Sequence, residues 1–272
     1  MMLAAGIGVW FYFASFPLAG QTSAYRATRT ADGKPDLTGI WQALGTAYLD
    51  IQDHPAQPGA VLALGALGAV PPGNGVVEGN EIPYQPWALA RKKDNFAKRM
   101  TADPFNRTVG DPELKCYMPG VPRATYMPFP FQILQSPNKI TIAYEFASAT
   151  RVIHMDKVDP SPVDTWMGYS VGRWDGETLV VDVTSFNDQT WFDRAGNLHS
   201  DALHVVERYT PLTPYHLNYE VTIEDPKVFT RPWKMSMPLY RRLDKNAEVL
   251  EFQSVELVEP LLLGPLNKAV SR

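Results

Sequence analysis

The chain has 272 residues and a net charge of −4 with no basic stripe, which excludes nucleic-acid binding. Its single cysteine, Cys116, excludes an internal disulfide, a Cys-rich metal site and a C-x-x-C-H haem attachment, and reads as a buried small hydrophobe. Twenty-four prolines suit a loop-rich β architecture rather than a helical one.

The first twenty residues carry no charged side chain. About 20 apolar residues at a helical rise match the hydrocarbon thickness of a bilayer. Two readings of residues 1–24 follow. A cleaved secretory signal has its apolar core over Leu3 to Phe16 and small residues at Ala19, Gly20 and Ala24, but lacks a basic n-region. An uncleaved anchor has the right length, with Trp10, Phe11, Tyr12 and Phe13 as anchoring aromatics and Pro17 ending the helix. The anchor is favoured, and both readings place the rest of the chain on the extracytoplasmic side. Arg26, Arg29 and Lys34 follow the segment and pull the other way by the positive-inside rule.

Residues 25–36 read as a polar tether, and 37–272 as a single β domain with a long Pro/Gly-rich loop region over 43–130. Leu37 to Gln42 predicts a short strand with Trp41 facing a core. The Gly/Ala/Pro-rich run 55–80 has no period and reads as an apolar loop, a type of surface that marks contacts. Pro86 to Met100 predicts a helix with proline in its first turn. Trp87, Ala90, Asp94 and Ala97 fall on one face, flanked by Leu89 and Phe96, while Arg91, Lys92, Lys93, Lys98 and Arg99 cover the rest. That basic face is either simply solvated or meets anionic lipid or an acidic partner. Residues 101–130 are proline-rich without a periodic run and read as a wrapping loop.

Beyond Phe131 the period changes to two. Ile140 to Phe146, Thr178 to Val183, Leu203 to Tyr209, His216 to Ile223 and Val249 to Val255 each alternate apolar with polar residues, the mark of half-buried strands. Asp175-Gly176 is a strong hairpin turn, and Ser136 to Asn138 and Pro211 to Pro214 make further connections. The expected fold is mainly β: an antiparallel meander closed as a barrel or sandwich, with an N-terminal hydrophobic helix and one short amphipathic helix. There is no G-x-G-x-x-G, P-loop or G-x-S-x-G motif.

The best site candidate is the polar cluster Asn187, Asp188, Trp191, Asp193, His199, Ser200 and His204. Asp188 or Asp193 would orient His199 or His204 as a general base. An enzyme built here would use His204, His199, Asp188 and Glu207. The structural alternative makes Asn187 and Asp188 turn caps and pairs Glu207 with Arg208. His199, His204 and Asp188 could supply three metal ligands, but their spacing fits no template, so neither metal nor cofactor is expected. Ser170 and Ser200 lack nucleophile context. Trp166, Trp174, Trp191 and Trp233 read as core or interface mass, His154 as a strand residue, and His54 and His216 as exposed.

The segments PDLTGIW, IPYQPWALARKKDN, GYSVGRWDGETLVVDVTSFND, TWFDRAGNLHSDALHVVERY and EVTIEDPKVFTRPW resemble a large family of exported, mostly uncharacterised bacterial proteins. The resemblance runs over nearly all of the chain after Asp36. It implies an extracytoplasmic β domain of lipocalin-like type and no established activity. Relatives show G-H-S where this chain has Gly168-Tyr169-Ser170, and a His-Pro pair where it has Asp159-Pro160. Two imidazoles are thereby missing, and neither Tyr nor Asp replaces one as a base near pH 7. The expected function is a membrane-anchored, non-enzymatic accessory subunit. It would pack on the extracytoplasmic face of a larger membrane complex of respiratory or photosynthetic type, with the membrane and other subunits as partners. The alternative is a periplasmic lipocalin-like enzyme or carrier acting on a small apolar molecule.

Overall fold

A computed structural model describes residues 25–59, 65–66, 69–101, 109–156 and 161–256. The apolar segment with Trp10, Phe11, Tyr12 and Phe13 lies outside the described residues, as does Asp159-Pro160. Nine strands close into a barrel: β1 (Gly39–Ala43), β2 (Phe131–Gln135), β3 (Lys139–Tyr144), β4 (Thr150–His154), β5 (Tyr169–Asp175), β6 (Thr178–Thr184), β7 (His204–Thr213), β8 (His216–Glu224) and β9 (Trp233–Arg241). Each pairs with its sequence neighbour, and β1 closes the ring against β9 through Trp41↔Arg241 and Ala43↔Leu239.

The expected β fold is therefore a barrel, with two corrections. One pair, β4 with β5, is parallel, through Ile153↔Ser170 and His154↔Val171. Parallel neighbours need a crossover rather than a tight turn, and the chain between His154 and Tyr169 provides it. The second correction concerns Val249 to Val255, which is not a strand. Once β9 has joined β1, the ring offers no free edge to pair with. The alternation there serves packing instead: the Phe252 ring lies 5.3 Å from Phe129 and 4.9 Å from Phe146. The ninth strand is WKMSMPLYR, whose Trp233, Met235, Met237 and Leu239 face inward. Pro238 obscures it, because proline removes a ladder donor and argues against a strand.

The barrel has two unlike ends. Tight turns at 136–138, 176–177 and 214–215 make a hairpin end. The long connections 44–130, 145–149, 185–203 and 225–232 gather at the opposite, loop end. Helix α1 (Pro86–Lys98) lies there and buries Ala88 and Asn95, not the face that carries Trp87, Ala90, Asp94 and Ala97. The reason is close approach. A Cβ on Gly196 would meet Asn95 Cβ at 2.8 Å, and Asn95 Nδ2 donates to the Gly196 carbonyl at 3.2 Å. Small and polar groups, not apolar periodicity, choose the packed face, and Trp87, Leu89 and Phe96 stay exposed. The short helix α2 (Arg123–Tyr126) is wholly buried.

Inward residues at period two fill the barrel: Phe131 and Ile133, Ile140 and Ile142, Leu179 to Val183, Leu217 to Ile223 on alternate positions, and Trp41. Among them lies an ion pair. Arg151 on β4 donates to both oxygens of Glu207 on β7, and its Nε donates to Ser170 Oγ at 2.8 Å. Tyr209 and Tyr219 donate to Glu207 Oε1 at 3.0 and 2.6 Å. Burial opposes the Arg151 charge, but Glu207 beside it prevails and holds the guanidinium well above its usual pKa. Burial and Glu207 together push both phenols up, so they remain donors. Glu207, Tyr209 and Tyr219 have no accessible surface, which leaves no water-sized space beside them.

Removing one member of such a pair strands the other charge in a dry interior. Glu207→Gln is expected to destabilise the protein by about 3–5 kcal/mol. The double variant Arg151→Met with Glu207→Leu recovers at least half of that loss. Urea unfolding followed by near-UV circular dichroism measures both, and a Glu207→Gln midpoint equal to the wild type contradicts the account.

Candidate functional site

At the loop end, α1, the segment 110–117 and the segment 188–200 enclose a cleft of about 970 Å³. Trp87, Tyr117 and Trp191 supply aromatic walls, Arg91 and Lys115 positive charge, and Asp188, His199 and Ser200 polar groups. Its floor is set by the segment between β6 and β7. There Phe192 N donates to the Asn197 carbonyl at 2.7 Å, and the Asp193 carboxyl accepts from the amides of Ile51 and Asn197 at 2.9 and 3.2 Å. The Tyr84 hydroxyl donates to Asn197 Oδ1 at 2.8 Å. Arg194 reaches Glu113 with two bonds of 2.8 Å. Arg123 joins Asp111 at 3.1 Å and the same Glu113 at 2.6 Å. Burial works against the Glu113 charge, yet Arg194 and Arg123 overcome it and hold its pKa below the usual value. Burial raises that of Asp111.

His199 stands in the cleft wall with both ring nitrogens bonded. Nδ1 lies 2.9 Å from the Ser200 carbonyl, which only accepts, so hydrogen bonding assigns the proton to Nδ1. Nε2 then accepts from Thr190 Oγ1 at 2.6 Å. Burial lowers the His199 pKa and favours the neutral ring. A neutral imidazole accepting from a hydroxyl is the geometry of an activated nucleophile. Here, however, Thr190 is 3% exposed, and a Cβ on Gly120 would meet its Oγ1 at 2.6 Å. That hydroxyl is buried, and the pair ties Thr190 to His199 within the loop. The Ser200 hydroxyl is committed to Asp225 Oδ1 at 2.9 Å.

Of the four residues expected to form an enzyme site, the structure brings together only His199 and Asp188. Asp188 is exposed on the cleft rim. His204 lies on the outer surface of β7, 3.3 Å from both Asp182 and Glu224. Glu207 points into the barrel. It does not pair with Arg208, because consecutive strand residues face opposite sides of the sheet; Arg208 pairs with Asp175 at 2.9 Å. The set His199, His204 and Asp188 does not converge, and no group of three potential ligands forms among the described residues. Asn187 caps its turn, accepting from Gln189 N at 3.2 Å.

Other residues settle as follows. His54 is buried rather than exposed, held by paired backbone bonds to Gly73 of 3.0 Å each. His216 is half-buried in β8, with Nδ1 2.8 Å from Thr213 Oγ1. His154 stacks on Tyr169 at 5.1 Å. Cys116 is half-exposed in a left-handed backbone conformation that ends a helical turn. Trp191 and Trp233 are buried, and Trp166 and Trp174 partly so. Arg151, Arg123, Asp111 and Glu113, which organise both interiors, carry no motif; only strand parity marks Arg151, two residues before inward Ile153. Compared with family models, curated proteins and solved structures, the chain matches none.

Burial pushes the Asp193 carboxyl up to about 7, and Asp50 adds to the rise while the amide donors of Ile51 and Asn197 oppose it. The folded chain thus keeps a proton that the unfolded chain releases near about pH 4. Between about pH 4 and 7 the folded state binds more protons, so this group makes stability fall as pH rises through that window. His199 acts oppositely, because its lowered pKa costs stability as pH falls below about 6.5. The isolating measurement is the urea midpoint of wild type minus that of Asp193→Asn. It should grow in favour of the wild type between about pH 7.5 and 5; a flat difference contradicts the assignment.

Proposed function

We propose that the protein is a membrane-anchored, non-enzymatic accessory subunit whose barrel packs on the extracytoplasmic face of a larger membrane complex. The observation that carries this reading is the filled barrel. Glu207 and its partners occupy the space where a barrel of this kind would hold a ligand. The two imidazoles of the candidate site are committed: His199 to a buried threonine and His204 to two surface carboxylates. The charge-free first twenty residues support the anchor. The family resemblance supports the extracytoplasmic side. Exposed Trp87, Leu89 and Phe96 at the loop end supply the kind of surface that a partner subunit covers.

A second reading, a periplasmic carrier or enzyme for a small apolar molecule, is favoured by the aromatic cleft of about 970 Å³. Its ligand would bind among the loops and not inside the barrel.

Gentle solubilisation of native membranes, followed by identification of co-purifying proteins and intact mass of the chain, separates the two. The accessory reading expects a stable set of partner subunits and a mass that retains residues 1–24. A partnerless soluble monomer whose mass starts after Ala19 overturns it.

A further inference from the structure

The loop end holds the cleft, but the hairpin end holds the entry of the chain, and the two are opposite. Residues 25–37 are not a free tether; they fold onto the hairpin end. Ala27, Pro35 and Leu37 are buried. Gln135, at the tip of β2, binds both the Leu37 amide (3.1 Å) and the Pro35 carbonyl (3.0 Å). Arg29 forms an ion pair with Glu177 in the turn between β5 and β6. Tyr25 shares a surface pocket with Thr213, Pro214 and Arg241, at the turn between β7 and β8.

We propose that the hairpin end of the barrel rests on the lipid bilayer, so that the cleft and α1 face away from the membrane. The proposal builds on the anchored reading above. Four residues, Gln21 to Ala24, lie between Gly20, the last of the apolar run, and Tyr25, a span of five Cα–Cα steps. A fully extended chain covers at most about 3.5 Å per residue, so the hairpin end stays within about 18 Å of the point where that run ends. The polar interface of a bilayer is itself on the order of 5–8 Å deep on each side.

The side chains at this end suit that position. Leu212, Tyr215 and Leu243 are 50, 51 and 65% exposed. The Arg241 amide donates to the Tyr215 carbonyl at 2.9 Å, which brings Leu243 close to the hairpin tip. Leucine tips and an interfacial tyrosine gain free energy by entering the headgroup boundary. Charges here are of both signs, with Arg242 paired to Asp244 and Arg29 to Glu177, so apolar contact, not a polybasic patch, makes the attachment.

Another exposed apolar surface, Leu89 and Phe96 beside Lys92 and Lys93, looks at first like a better lipid ligand. It lies at the far end. The ten residues of β7, rising about 3.3 Å each along a tilted strand, separate the two ends by on the order of 25 Å. With the entry point held at the hairpin end, α1 cannot reach the same bilayer surface.

The test uses the full chain in phosphatidylcholine vesicles, with Cys116→Ser as background. Nitroxide labels are placed singly through Leu212→Cys, Leu243→Cys and Leu89→Cys, and near-UV circular dichroism checks each fold. Collision with oxygen reports lipid, and collision with a water-soluble nickel chelate reports water. The labels at 212 and 243 should lose nickel collisions several-fold relative to the label at 89, with oxygen collisions raised. Equal water access at all three positions overturns the orientation, as does a lipid signal at 89 alone. A carbonate wash separates the levels. A chain that remains in the vesicles with wet hairpin tips refutes only the orientation, whereas one that washes off refutes the anchored reading with it.

Discussion

A carboxylate and a guanidinium cannot stand in a dry interior unless each satisfies the other, and the barrel is arranged around one such pair. Glu207 and Arg151 meet across the lumen from β7 and β4. Glu207 Oε1 also accepts from Tyr209 and Tyr219, and Arg151 Nε donates to Ser170. Every strand from β4 to β8 other than β6 thereby contributes a polar group at one level of the barrel. Aliphatic and aromatic side chains fill the space around them. This fixes register, since a shift of one residue on any contributing strand would turn its polar group out to solvent. It also fills the lumen around Glu207.

The loop end repeats the principle with different residues. Asp111, Arg123, Glu113 and Arg194 form a chain of alternating charge that ties the long excursion after β1 to the loop before β7. Asp193, one residue before Arg194, accepts the Ile51 amide and so joins the beginning of that excursion to the same loop. The cleft is the space left over between elements held in this way. Its walls are tied together by these ion pairs and hydrogen bonds.

Much of the barrel was legible in the sequence, because a half-buried strand writes its faces at period two. Four of the five alternating runs form strands, and the Asp175-Gly176 turn joins β5 to β6 as its dipeptide demands. The same parity puts Glu207 with Val205 and Tyr209 on the inward side. Its charge argues for solvent, and parity wins because Arg151 waits opposite. The site was less legible. His199, Asp188, Ser200 and Trp191 do share one cleft, but His204 is one strand face away from Glu207, and nearness in sequence conceals that. The packed face of α1 was hidden too, because a glycine 101 positions after Asn95 decides it. Arg123 pairs with Asp111 and Glu113 twelve and ten positions earlier, within a loop that has no helical or strand period, so no motif marks them.

The short strand β1 has a further consequence. It stands apart from the other eight strands, before the excursion 44–130, and it bonds to a strand two hundred positions later, Trp41 to Arg241. Contacts so far apart make closure slow compared with local hairpins. Ribosomal synthesis delivers the partner strand last, so the nascent polypeptide leaves the translation machinery with its cylinder still open.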